Sequence, residues 1–329
     1  MNKISILLCF LFPLWLISQS YAPPAGQEGT TAIHKDSAII VGWASGIEVI
    51  RGYLNIEDKD YEIDGSNKAS FGEPENALGY ASGNSADIVS LGDSGVAILT
   101  FEHPIMNGPG YDFAVFENSF SDDYLELAHV EVSSNGEHYV RFPSHSEVQT
   151  TEQTGGFGST DARKLYNLAG KYRAAYGTPF DLEELKDSAG IDIDNITHVK
   201  LIDVVGSIGE GGTNDSFGNR INEPFPTPFE SGGFDLDAVG VMHQFLNINT
   251  HNVAPELVVY PNPSDGNFTI SVNKLNEPTE VFLYDIYGQL VLTKQLHEET
   301  LKLNRQLSSG TYFLKTNNPK HGVKKLIVN

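Results

Sequence analysis

The segment Gly232-Gly233-Phe234-Asp235-Leu236-Asp237-Ala238-Val239-Gly240-Val241 reads as one buried β-strand that closes a β-sandwich. Phe234, Leu236 and Ala238 alternate with Asp235, Asp237 and Val239, the period of two expected of a strand. The anomaly is two carboxylates on one face of an otherwise apolar strand. A buried charge is costly unless it is paired or binds a metal. Asp235 and Asp237 are therefore expected to be ligands of a Ca²⁺ ion, a buried hydrogen-bonding pair, or the floor of a ligand site.

The chain before this strand carries short apolar runs separated by turn signals. Residues 38–43 and 47–53 are strand candidates. Residues 86–91 and 96–101 flank Gly92-Asp93-Ser94-Gly95, a spacing that predicts a hairpin. Residues 111–118 form a nearly continuous apolar run, as in a central strand packed on both faces. Residues 127–134 and 137–142 flank Asn135-Gly136, which favours a type I′ hairpin turn. Residues 150–190 read as a short helical insertion, with Asp181 capping a helix start. Residues 197–205 return to strand. A long Gly-, Asn- and Pro-rich loop then runs to Gly233, and loops of that length are usually functional or disordered. The fold class is all-β: a jelly-roll type β-sandwich over residues 23–245, a linker at 246–255, and a small Ig-like β-sandwich at 256–329.

With 43 acidic and 21 basic side chains, the net charge is -22. That argues against nucleic acid, anionic membranes and anionic polysaccharides as partners. It is compatible with divalent cations and neutral ligands. Residues 1–22 are expected to be a secretory signal peptide: Lys3, an apolar run from Ile4 to Ile17, and Ser20-Tyr21-Ala22 as a cleavage site. The run is short for a membrane span, so no transmembrane segment is expected after its removal. The single cysteine, Cys9, lies within it, which leaves the mature chain without thiol chemistry.

The C-terminal residues carry a specific resemblance. Tyr260-Pro261-Asn262-Pro263-Ser264-Asp265-Gly266, Val281-Phe282-Leu283-Tyr284-Asp285-Ile286-Tyr287-Gly288, Leu307-Ser308-Ser309-Gly310-Thr311-Tyr312 and Lys324-Lys325-Leu326-Ile327-Val328 follow one another in order. Residues 257–329 thereby resemble the type A C-terminal sorting domain of the type IX secretion system of Bacteroidota. The resemblance implies recognition by that machinery and export, with the mature protein secreted or held at the outer-membrane cell surface. The main domain, through Gly110–Asn118, Glu131–Gly136 and Gly233–Val239, resembles uncharacterised secreted cell-surface proteins with carbohydrate-binding-module-like sandwiches. In such modules a structural Ca²⁺ often joins an acid near the first strand to one in the last, and Asp235 or Asp237 fits the latter.

Two further groups are candidates for the ligand site. Asp112, Glu117, Asn118, Asp122, Asp123 and Glu126 cluster around one strand end; Glu117, Asn118 and Asp122 are the expected ligand-binding members. The long loop offers Asn214, Asp215, Asn219, Asn222 and Glu223 beside Phe225 and Phe229, amides and carboxylates next to rings, which suit the hydroxyls and apolar faces of a sugar; Asn219, Asn222, Phe225 and Phe229 are its expected ligand-binding members. Against these stand a solvated acidic rim and Asn-rich turns formed for backbone reasons. Asp60-x-Glu62-x-Asp64-Gly65 starts like an EF-hand loop, but Phe71 stands where the last glutamate belongs. Gly92-Asp93-Ser94-Gly95 resembles a serine-protease nucleophile motif but reads as a tight turn, and the histidines lack zinc-enzyme spacing. No catalytic set is identified. The expected function is non-enzymatic capture of a glycan or other neutral nutrient, with Ca²⁺ as the expected ion. The alternatives are a polysaccharide hydrolase using loop carboxylates and a structural or adhesive surface protein.

Overall fold

The apolar runs form short strands whose burial follows their packing. The structure, a computed structural model, describes residues 20–245 and 257–329 except 273, 274, 276, 277, 306, 319, 320 and 322. The expected linker and all but the last three residues of the expected signal peptide lie outside the described residues. The chain divides into two compact units between Leu246 and Asn247. No helix among the described residues is long and apolar enough to cross a membrane.

The first unit contains β1 (Ile33–His34), β2 (Gly42–Trp43), β3 (Gly46–Ile50), β4 (Val89–Ser90), β5 (Val96–Ile105), β6 (Phe113–Glu117) and β7 (Ala128–Ser133). It continues with β8 (Val140–Arg141), β9 (His145–Ser146), β10 (Leu165–Tyr166), β11 (Tyr176–Phe180), β12 (Ile196–Asp203) and β13 (Asp235–Val241). One antiparallel sheet runs β1-β11-β6-β13-β2, with β4 also paired to β13; the other runs β3-β5-β12-β7-β8. Phe113, Val115 and Leu236 of the first sheet and Leu99, Val130 and Val199 of the second share one core. The expected all-β sandwich is the observed architecture.

Strands β6 and β13 are buried at every position. One face of each meets the core, and Ala114, Phe116 and Ala238 on the other are covered by Ile33, Ile40 and Trp43. A second cover explains why these runs lack the polar alternation of a half-exposed strand. The register of β13 on β6 shifts between Leu236 and Ala238, a bulge that breaks the simple alternation read from the sequence.

Three expectations are corrected. Residues 89–90 and 96–105 do not form a hairpin: β4 pairs with β13 and β5 with β3 and β12, so the chain crosses between sheets. The Gly92–Gly95 turn makes that crossing, with Gly95 N–H donating to the Gly92 carbonyl and Ser94 at φ 61°. At Asn135-Gly136 only Gly136 has positive φ. The side chain of Asn135 accepts from the N–H groups of Glu137 and His138, so a longer connection replaces a type I′ turn and shortens β8. The helical insertion consists of 3-10 turns at Ala162–Lys164 and Leu182–Leu185, capped by Asp161 and Asp181.

The second unit comprises β14 (Leu257–Tyr260), β15 (Asn267–Val272), β16 (Thr279–Asp285), β17 (Leu290–Leu296), β18 (Thr300–Asn304), β19 (Gly310–Thr316) and β20 (Val323–Val328). They form sheets ordered β14-β15-β18 and β17-β16-β19-β20. Leu257, Ile270, Leu283, Leu314 and Leu326 pack between them.

Candidate functional site

Antiparallel pairing brings several strand ends to one end of the sandwich. β6 ends at Glu117, β12 ends at Asp203, β13 begins at Asp235, and Glu126 lies just before β7. Glu117, Glu126 and Asp235 are all buried and each offers a carboxylate oxygen within 4.8 Å of the others. Asp203 and Glu223 are buried nearby.

The outer members of this acidic group have structural partners. Asp203 accepts from Phe234 N–H at 2.7 Å and Ser94 N–H at 2.8 Å. Glu223 accepts from Leu127 N–H at 2.6 Å. These bonds tie the long loop and the crossing turn to the strands. Glu117 accepts from Ser119 N–H at 2.8 Å through Oε2, but its Oε1 is buried without a hydrogen-bond partner. Glu126 is buried with a carboxylate oxygen close to those of Glu117 and Asp235. Asp235 accepts from the Ser90 hydroxyl and the Asn118 amide.

Burial dominates the electrostatics. Glu117 and Glu126 are held well above the ordinary carboxylate range, first by desolvation and then by the charge of Asp235. Burial pushes Asp235 up to about 7, against the pull of its bonds to Ser90 and Asn118 and of Arg51. Arg51 points elsewhere: its guanidinium donates to the carbonyls of Phe71, Gly72 and Ser90.

Above this floor lies a hollow of about 530 Å³ lined by Phe71, Ser85, Asn118, Phe120, Tyr124, Glu126, Phe157, Phe229, Ser231 and Asp235. Its rings form a series: Phe120 stacks on Tyr124 at 4.5 Å, Tyr124 on Phe157 at 6.5 Å, and Phe157 meets Phe229 at 5.7 Å between centroids. Phe120 is 75% and Phe157 78% exposed. Rings that open to water at the edge of a concave surface offer apolar faces that the protein's own core does not use.

The residues expected from the sequence divide between this hollow and other places. Asp235 is in its floor, Glu117 lies buried beside Asp235, and Asn118 and Phe229 are in its walls. Asp122 instead pairs with Arg173 at 2.6 Å. Asn219 donates to Asp215, closing a local turn. Asn222 is a buried rivet: its amide donates to the Gln149 and Glu152 carbonyls and accepts from Thr154 N–H. Phe225 is buried. Both oxygens of Asp237 are taken by Ser82 and Gly83 N–H groups at 2.8 Å. Asp112, at the opposite end of β6, binds Gly108 N–H, Leu182 N–H and His243. The residues not selected from the sequence are Phe71, Phe120, Tyr124, Phe157 and, as a floor member, Glu126. Glu126 stood in the acidic group around the strand end; the rings stand alone in polar text, with no periodicity to mark them.

The family match falls within the second unit. The endo-acting ulvan lyase of Formosa agariphila is 34% identical over 82 residues, which covers 23% of this chain and 15% of that protein. Among solved structures, PorZ, a surface component of the type-IX secretion system of Porphyromonas gingivalis, is 12% identical with a TM-score of 0.20, over 81% of this chain and 26% of that one. A β-glucuronidase from Ruminococcus gnavus is 11% identical with a TM-score of 0.22, over 95% and 48%. The chain spans less than half the length of each of these proteins, and the function of the first unit rests on its own geometry. Residues 258–329 match the model of the secretion system C-terminal sorting domain, and such a tail marks the protein as secreted or placed at the outer-membrane cell surface.

Proposed function

We propose that the first unit is a binding module that captures a neutral glycan in the hollow between Phe120, Phe157 and Phe229. The observation that carries this reading is the series of exposed rings above a floor of amide, hydroxyl and carboxylate groups. A sugar needs such a pairing: rings for its C–H faces and convergent donors and acceptors for its hydroxyls. The acidic floor and the net charge of -22 disfavour uronates and sulfated sugars. Export by the type IX machinery through the C-terminal unit would place the hollow where extracellular glycans are met.

The test is a glycan array probed with the secreted chain and with Phe157→Ala. Neutral oligosaccharide hits that weaken at least tenfold in the variant support the reading. Hits unchanged by Phe157→Ala, or none from folded protein, contradict it.

A second reading is hydrolysis of the captured glycan. The oxygens of Glu117, Glu126 and Asp235 lie within 4.8 Å, close to the roughly 5–5.5 Å between carboxyl groups of retaining glycosidases. It predicts reducing ends released from array hits, and folded protein that binds without turnover would rule it out.

A further inference from the structure

We infer that Glu117, Glu126 and Asp235 form a binding site for one hard divalent cation, Ca²⁺ in preference to Mg²⁺, beneath the aromatic hollow. This site differs from the Asp235–Asp237 pair suggested by the sequence, and it stands whether or not the hollow takes a sugar.

The first argument is geometric. Two oxygens bound to the same Ca²⁺ at 2.3–2.6 Å can be no farther apart than roughly 4.6–5.2 Å. One oxygen from each of the three carboxylates meets that limit, since all lie within 4.8 Å of one another. Mg²⁺ demands near-ideal octahedral geometry at 2.0–2.1 Å and holds its waters more tightly, so a carboxylate set from three separate elements suits Ca²⁺ better. The oxygen-only donor set, with no cysteine in the mature chain and no histidine in the trio, suits a hard ion.

The second argument is independent of the clustering. Glu117 is 1% exposed, its Oε2 is bound by Ser119 N–H, and its Oε1 has no partner. A buried oxygen without a donor is costly, and most such groups have a reason. Glu126 is buried beside it and reaches the hollow above. By contrast, Asp203, Glu223 and Asp237 are each engaged by backbone N–H groups. The structure thus separates acids that pin loops from Glu117, whose unpartnered oxygen belongs to the trio that converges. Glu126 and Asp235 also line the hollow, so the coordination sphere would have one side open to water or to a ligand hydroxyl.

The test uses the full secreted chain, stripped with chelator, and titrates CaCl₂ and MgCl₂ at pH 7.5 by calorimetry and thermal melting. The expected result is one Ca²⁺ per chain with a raised Tm, Mg²⁺ at least tenfold weaker, and Ca²⁺ affinity lowered at least tenfold in Glu126→Gln and Asp235→Asn. In chelator, Glu126→Gln should melt at or above the wild-type temperature, because it removes one of three crowded carboxylates; a residue with a purely structural bond would lower it. The inference is overturned if neither ion binds, if Ca²⁺ binds equally well to both variants, or if Asp237→Asn abolishes binding that Glu126→Gln retains.

Discussion

Asp93 shows how strongly single buried acids shape this molecule. It is 4% exposed and accepts from Ile56 N–H at 2.7 Å, yet burial and the nearby Glu57 push it up to about 6. A folded-state pKa raised above its ordinary value means stability that is complete below about pH 4 and lost as pH rises through 6. A shift of about two pKa units corresponds to about 3 kcal/mol. Urea unfolding in chelator at pH 4 and pH 7 should therefore show a smaller difference for Asp93→Asn than for the wild type, by up to that amount; an unchanged difference would refute it. Asn222 makes the opposite kind of contribution, with its amide satisfied on both sides. Asn222→Ala leaves the Gln149 and Glu152 carbonyls and Thr154 N–H without this partner and should cost about 3 kcal/mol by equilibrium unfolding. The sequence exposed Asp235 because a carboxylate interrupts an apolar run. It gave no comparable sign for Phe120 or Phe157, which lie in polar loops and meet only when strand ends converge. Asn222 looked like a ligand residue for its chemistry, and its burial alone distinguishes a rivet from a binding group.

At the scale of elements, the strands were legible and their partners were not. Apolar runs located β5, β6, β7, β12 and β13 to within a few residues, because burial between two sheets requires continuous hydrophobic surface. Glycine-bounded turns were less informative. A Gly-x-x-Gly turn can join neighbours in one sheet or carry the chain across the sandwich, and Gly92–Gly95 does the latter. The core explains which strand matters most for stability. Phe113 of β6 stacks on Phe180 of β11 at 5.3 Å and meets Phe142 at 5.9 Å. Phe113→Ala should destabilise by about 3–5 kcal/mol in thermal or urea unfolding. A loss below 1 kcal/mol would mean that this triad is not the centre of the core.

For the whole molecule, destination was far easier to read than ligand. The sorting tail is an ordered set of short motifs, so its resemblance survived without any knowledge of packing, and residues 258–329 match the corresponding family. Removal of residues 257–329 should leave the protein inside the cell envelope while the first unit still folds, as fractionation with a protease-protection assay would report. Surface exposure of the truncated chain would contradict that role. The binding hollow is built from distant stretches, residues 71, 118–126, 157 and 229–235, and no local pattern announces such a set. The most direct check of the central claim is a crystal structure of the protein with a neutral oligosaccharide selected on the array. The account predicts a sugar ring packed on Phe157 and Phe229 with hydroxyls over Asn118 and Asp235. A sugar bound elsewhere, with the hollow open and filled only by solvent, would contradict it.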